Sequence, residues 1–125
     1  MNQLWIVLGI SVFGGLGALA RSVQDTLVKD RFGSEFPRGT MAINIGGSFL
    51  LGVITGMVVT AEEPGPWAVV VGAGFCGGYT TFSTAMFEAA VLLREQRWRA
   101  ATASVVGTLG ATVVAAGVGL WLGAR

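Results

Sequence analysis

The sequence predicts an all-α membrane protein of four transmembrane helices, the third broken near its middle, and three observations predict it. Of 125 residues, 53% are hydrophobic and only 12% charged, with a mean hydropathy of +0.70. A soluble domain this small has too high a surface-to-volume ratio to hide that much apolar surface, so the membrane class follows. Four apolar segments reach the roughly 20 residues that a helix rising ~1.5 Å per residue needs to cross a bilayer. One of them carries Gly74-Phe75-Cys76-Gly77-Gly78-Tyr79-Thr80-Thr81-Phe82-Ser83-Thr84 in its middle. Gly costs about 1 kcal/mol relative to Ala in a helix interior, and Thr is also unfavourable. Broken backbone at membrane depth persists only where protein buries it or where it lines a cavity. Interrupted helices are where carbonyls and helix ends bind ions in transport proteins, so the segment suggests an ion site inside the membrane.

The first helix is Leu4 to Ala20, running past Arg21 as an amphipathic helix to Val28. It reads as retained, because Met1-Asn2-Gln3 lacks the basic start of a signal peptide and Ala18-Leu19-Ala20-Arg21 is a poor cleavage site. The second is Gly39 to Thr60, the third Trp67 to Leu93, interrupted near Gly77-Gly78, and the fourth Ala100 to Leu122. The connections, Lys29 to Arg38, Ala61 to Pro66 and Arg94 to Arg99, are short, so consecutive helices are antiparallel neighbours. Glu62-Glu63-Pro64-Gly65-Pro66 is a turn by composition. The four helices make residues 1–125 a single transmembrane domain. Trp5, Trp67, Trp98 and Trp121 all fall near helix ends, as interfacial anchors do.

Orientation follows from lysine and arginine. The first and third loops carry Lys29, Arg31, Arg38, Arg94, Arg97 and Arg99, with Arg21 near the same side; the opposite side holds only Arg125. This bias puts both termini outside and the first and third loops in the cytoplasm, with the protein in the cell inner membrane.

The chain has no histidine and one cysteine, Cys76. That removes the usual zinc ligand, the commonest general base and any internal disulfide. A net charge of +1 without a basic run gives nucleic acid no footing. No metal-ligand cluster, nucleophile–base pair or cofactor fingerprint points to an enzyme.

Polar residues inside the spans are the candidates. Asn44 shares a helix face with Thr40 and Ser48. An amide in lipid must be hydrogen-bonded, so Asn44 reads either as glue between helices or as a donor facing an ion path, and spacing leaves both open. Ser104, Thr108 and Thr112 recur every four residues as a hydroxyl stripe on the fourth helix. Each hydroxyl can bond back to its own helix, yet three in register can also replace the water around a migrating anion. Phe82 follows the break, and the edge of a phenyl ring carries the positive part of its quadrupole. Phe75 and Phe87 read as packing residues, and Cys76 as a small apolar one. Arg21 is either a functional intramembrane charge or a snorkelling one. Glu88 can pair with a basic group or cap a helix.

Three patterns then coincide in order: Gly14-Gly15-Leu16-Gly17-Ala18-Leu19-Ala20-Arg21, Gly39-Thr40-Met41-Ala42-Ile43-Asn44-Ile45-Gly46-Gly47-Ser48-Phe49-Leu50-Leu51-Gly52, and the Gly74 to Thr84 segment with Glu88 after it. Together they resemble the Fluc (CrcB) fluoride channel family, over essentially the whole chain. The resemblance implies a fluoride-selective channel subunit that exports fluoride passively. It implies an antiparallel dimer of two subunits in opposite orientations, with two narrow pathways lined by both. It also implies a structural sodium ion at the dimer centre, held by the backbone carbonyls of Gly77 and Thr80. The implied fluoride pathway runs along Asn44, Phe82, Ser83, Ser104, Thr108 and Thr112, with Thr40 beside Asn44; Arg21 matches an arginine of the aqueous vestibule. The chemistry agrees. A dry pore must replace fluoride's water with donors, and amide, hydroxyl and aromatic edge supply them without a fixed charge that would hold the ion too tightly.

Two features depart from the family pattern. Ala85 stands where the family usually has a second phenylalanine, and the loop charge is strongly one-sided where a dually inserting subunit needs balance. Both fit a partner that is a paralogue, with an antiparallel homodimer of this chain as the alternative. Two other readings compete. A small multidrug-type transporter needs an acidic residue in its first helix, and Leu4 to Ala20 has none. A non-conducting subunit of a heteromeric membrane complex is the other.

Overall fold

The computed structural model describes residues 2–125. Helix α1 (Gln3–Phe32) is continuous over 30 residues. At ~1.5 Å per residue it is ~45 Å long, more than the ~30 Å hydrocarbon core, so it projects beyond the bilayer. Asn2 caps it, its side-chain oxygen accepting from the Leu4 N–H at 3.1 Å. Gly33, at φ 80, ends it, a conformation that costs glycine nothing. The connection Gly33 to Pro37 is therefore shorter than expected, because α1 runs four residues past Val28. Helix α2 (Arg38–Thr60) follows.

The third span is two helices. Its first half, α3 (67–79), is built from an α-turn at Trp67–Val69, a π-helical stretch at Val70–Cys76 and a second α-turn at Gly77–Tyr79. Its second half is α4 (Ser83–Arg94). The last helix, α5 (Trp98–Gly123), returns across the membrane. Helices α1, α2 and α5 are each long and apolar enough to span alone.

The break lies at Thr80-Thr81-Phe82 rather than at Gly77-Gly78. Both glycines are helical, and Thr80 turns to extended backbone at ψ 157. Gly78 serves packing instead. A Cβ there would collide with the Gly14 carbonyl, and one at Gly17 would collide with the Phe75 carbonyl, so α1 and α3 touch backbone to backbone. Helices α2 and α5 meet in the same way. Gly52 and Gly56 of α2 lie against the α5 backbone, and Gly119 and Gly123 lie against the α2 backbone. Both pairs have the four-residue spacing of small-residue helix contacts in membranes.

All six loop cations sit at one end of the bundle. There an Arg97 guanidinium N–H donates to the Glu35 carbonyl, tying the first and third loops. Trp5, Trp67, Trp98 and Trp121 are exposed near helix ends, as the sequence predicts.

Adding one methyl at two glycines separates packing from propensity. Gly78→Ala places that methyl in the α1 backbone, and overpacking costs about 1–3 kcal/mol. Gly15→Ala meets nothing within 4 Å and gains up to about 1 kcal/mol of helix propensity. Thermal unfolding in detergent should show a lower midpoint for Gly78→Ala and an equal or higher one for Gly15→Ala. Equal midpoints would contradict the close crossing.

Candidate functional site

The break is held by a side chain on another helix. Asn44 of α2 pairs with the peptide of Thr81 in both directions: its Nδ2 donates to the Thr81 carbonyl at 2.9 Å, and its Oδ1 accepts from the Thr81 N–H at 2.9 Å. In a continuous helix the Thr81 N–H would donate to the Gly77 carbonyl. Asn44 diverts it. One turn later the Thr84 N–H, helical partner of the Thr80 carbonyl, goes to the Thr81 Oγ1 at 3.2 Å. The carbonyls of Gly77 and Thr80 thus lose their helical donors. Thr81 is buried, and Gly47 lets α2 come this close, since a Cβ there would strike the Thr80 methyl.

Beside the break runs a groove of about 850 Å³ between α2, α3, α4 and α5. Asn44, Phe82, Ser104, Thr108 and Thr112 all line it, as do Gly77 and Thr80. Ser48, Thr81, Ala85 and Met86 also line it, and no charged side chain does. Asn44 uses one amide hydrogen on Thr81 and keeps the other. Phe82 is 78% exposed, so it stands in the open groove rather than in a core. Ser104 is buried, Thr108 is half-buried, and the Thr112 hydroxyl donates back to the Leu109 carbonyl at 3.0 Å. Gly77 faces open space.

Three candidates lie elsewhere. Thr40 is buried and its hydroxyl donates to Glu88 Oε1, so it joins α2 to α4 and gives Glu88 a partner. Ser83 is exposed at the start of α4 and does not line the groove. Arg21 is half-buried on α1, also outside it. Of the packing residues, Phe75 stacks on Tyr79 with ring centroids 5.6 Å apart, and Cys76 is fully buried. Phe87 is 66% exposed.

Sequence reasoning missed Thr81, whose peptide is the partner of Asn44. The one local signal was its position three residues before Thr84, where a hydroxyl caps a new helix. It also missed the bond from the Tyr79 hydroxyl to Gln24 Oε1, which pins the end of α3 to α1 and has no signature in spacing.

Residues 8–123 match the family described as CrcB-like protein, Camphor Resistance (CrcB). The chain is 47% identical over 118 residues to the fluoride-specific ion channel FluC 1 of Leifsonia xyli subsp. xyli, covering 94% of this chain and 86% of that one. It is 41% identical over 132 residues to FluC 2 of Cutibacterium acnes, covering 100% and 99%. It is 41% identical over 121 residues to FluC 1 of Symbiobacterium thermophilum, covering 95% and 96%.

Asn44→Ala should leave the N–H and carbonyl of Thr81 unpaired, at about 1–3 kcal/mol for each group. Hydrogen exchange read residue by residue should show the Thr81 amide losing protection at least tenfold while the α1 amides keep theirs. Undiminished protection at Thr81 would mean that Asn44 does not hold the break.

Proposed function

This chain belongs to the CrcB-like family, and we propose that it is a subunit of a fluoride-selective channel that lets fluoride leave the cell passively. The observation that carries this reading is the convergence of Asn44, Phe82, Ser104, Thr108 and Thr112 on one uncharged groove. Fluoride is small and strongly hydrated. A path that dehydrates it must offer donors at each step and no fixed cation to trap it. The free amide hydrogen of Asn44 and the hydroxyls of Ser104 and Thr108 meet that need, with Phe82 lining the same groove. Chloride, being larger and less densely charged, gains less from the same donors. Ala85 gives this chain one aromatic edge at the break where the family pattern has two.

The groove is open on one side, with Phe82, Val105 and Leu109 exposed. A second subunit is needed to close it into a pore. We assign that role to an antiparallel partner, and the one-sided loop charge favours a paralogue over a second copy of this chain. The carbonyls of Gly77 and Thr80 suit a sodium ion, because hard cations take oxygen ligands and these two have lost their helical donors. Bound there, sodium would supply positive charge beside the break.

Fluoride release from liposomes, read by electrode, is the test. With this chain and its partner, fluoride efflux should exceed chloride efflux at least a hundredfold. Asn44→Asp should abolish it, since a carboxylate repels an anion in low dielectric. Thr112→Val should slow it about tenfold, or about 1.4 kcal/mol, by removing a hydroxyl that turns from the Leu109 carbonyl to the ion. Equal fluoride and chloride efflux would refute selectivity, and unchanged flux in both folded variants would move the path elsewhere. Labelling of a cysteine at Glu62, in cells expressing this chain alone, should occur from one side; equal labelling from both sides would favour a homodimer.

A further inference from the structure

The outer face of α5 carries a second groove that the fluoride path does not use. It is shallow, about 600 Å³, and is lined by Trp98, Arg99, Thr102, Ala103, Val106 and Gly107. Thr102 and Val106 each lie two residues from Ser104 and Thr108. At 3.6 residues per turn that is about 200° around the helix, so Thr102 and Val106 face away from Ser104 and Thr108 of the hydroxyl track. Trp98 and Val106 are 65% and 61% exposed. Small side chains at Ala103 and Gly107 form the floor, beneath apolar walls.

The two ends of the groove differ in chemistry. Trp98 and Trp121 are 23 residues apart on one continuous helix, about 34 Å along its axis, which sets Trp98 at one membrane interface and Trp121 at the other. Arg99 is therefore at headgroup level, and Val106 and Gly107 are about 10 Å deeper, among acyl chains. Among the described residues Arg99 makes no ion pair, whereas the neighbouring Arg97 is engaged by Glu35 and Glu95.

We propose that this groove binds an anionic phospholipid, its phosphate on the Arg99 guanidinium and one acyl chain along Ala103, Val106 and Gly107. The charge of Arg99 selects an anionic headgroup, and the apolar Val106 and Gly107 about 10 Å deeper match the acyl chain beneath it. The site anchors the basic end of α5 in a leaflet rich in anionic lipid.

Bromine on an acyl chain quenches tryptophan on contact. The contribution of Trp98 is the fluorescence of the full chain minus that of Trp98→Phe. In phosphatidylcholine bilayers, dibrominated phosphatidylglycerol should quench it about fivefold more effectively than the same amount of dibrominated phosphatidylcholine, the preference one cation gives near an anionic headgroup. Arg99→Gln should bring the ratio close to unity, Arg99→Lys should retain most of it, and Arg94→Gln, outside the groove, should leave it unchanged. Equal quenching by both lipids overturns the proposal. So does an equal loss in Arg94→Gln, which would make the preference a diffuse charge effect, and so does the absence of quenching by either lipid, which would mean that another chain covers the face. None of these readings depends on fluoride flux, so the site and the channel reading fail separately.

Discussion

The pairing of Asn44 with the Thr81 peptide is the constraint on which the site depends. A side-chain amide copies the donor and acceptor of a neighbouring strand, so the Thr81 N–H and carbonyl are satisfied without a helical turn. In hydrocarbon an unsatisfied peptide group costs several kcal/mol. Without that substitute the third span would favour closing into a continuous helix. With it, α3 stops at Tyr79, the backbone extends through Thr80, and α4 starts anew under the cap of the Thr81 hydroxyl. The diversion leaves the Gly77 and Thr80 carbonyls without helical donors and puts Phe82 at the edge of an open groove.

Glycine packing supplies the rigidity that such a break needs. Close contact of α1 with α3 and of α2 with α5 leaves little room for either pair to slide. The Tyr79–Gln24 bond fixes the end of α3 on α1, and the Thr40–Glu88 bond fixes α4 on α2. The polar side chains of the groove are thus mounted on helices braced from both sides. The groove itself is lined by no charged side chain.

The four spans, their order and the basic end were legible because hydropathy and lysine–arginine bias act locally. The existence of a break was legible for the same reason: glycines and hydroxyls cluster in one apolar run. Its position was not. Gly77-Gly78 looked like the breaking element, yet glycine there answers the approach of the Gly14 carbonyl, a contact about 60 residues distant in sequence. What breaks the helix is Asn44, 37 residues upstream of Thr81, and no spacing rule links them. The hydroxyl stripe was legible from its period of four, and the groove brings all three of its members together. Thr40 shares a face with Asn44 by the same rule, but Glu88 takes its hydroxyl, and that partner lies on another helix.

The infrared amide I band of a single 13C=18O label at the Gly77 carbonyl tests the central claim most directly. A carbonyl without a helical donor absorbs at higher frequency than one inside the hydrogen-bonded ladder of α5, such as Gly107. In the assembled protein the Gly77 band should lie above the Gly107 band and should shift when sodium is exchanged for a large organic cation, while the Gly107 band stays still. A Gly77 band at the helical frequency, unmoved by the exchange, would show a closed third helix and contradict the account.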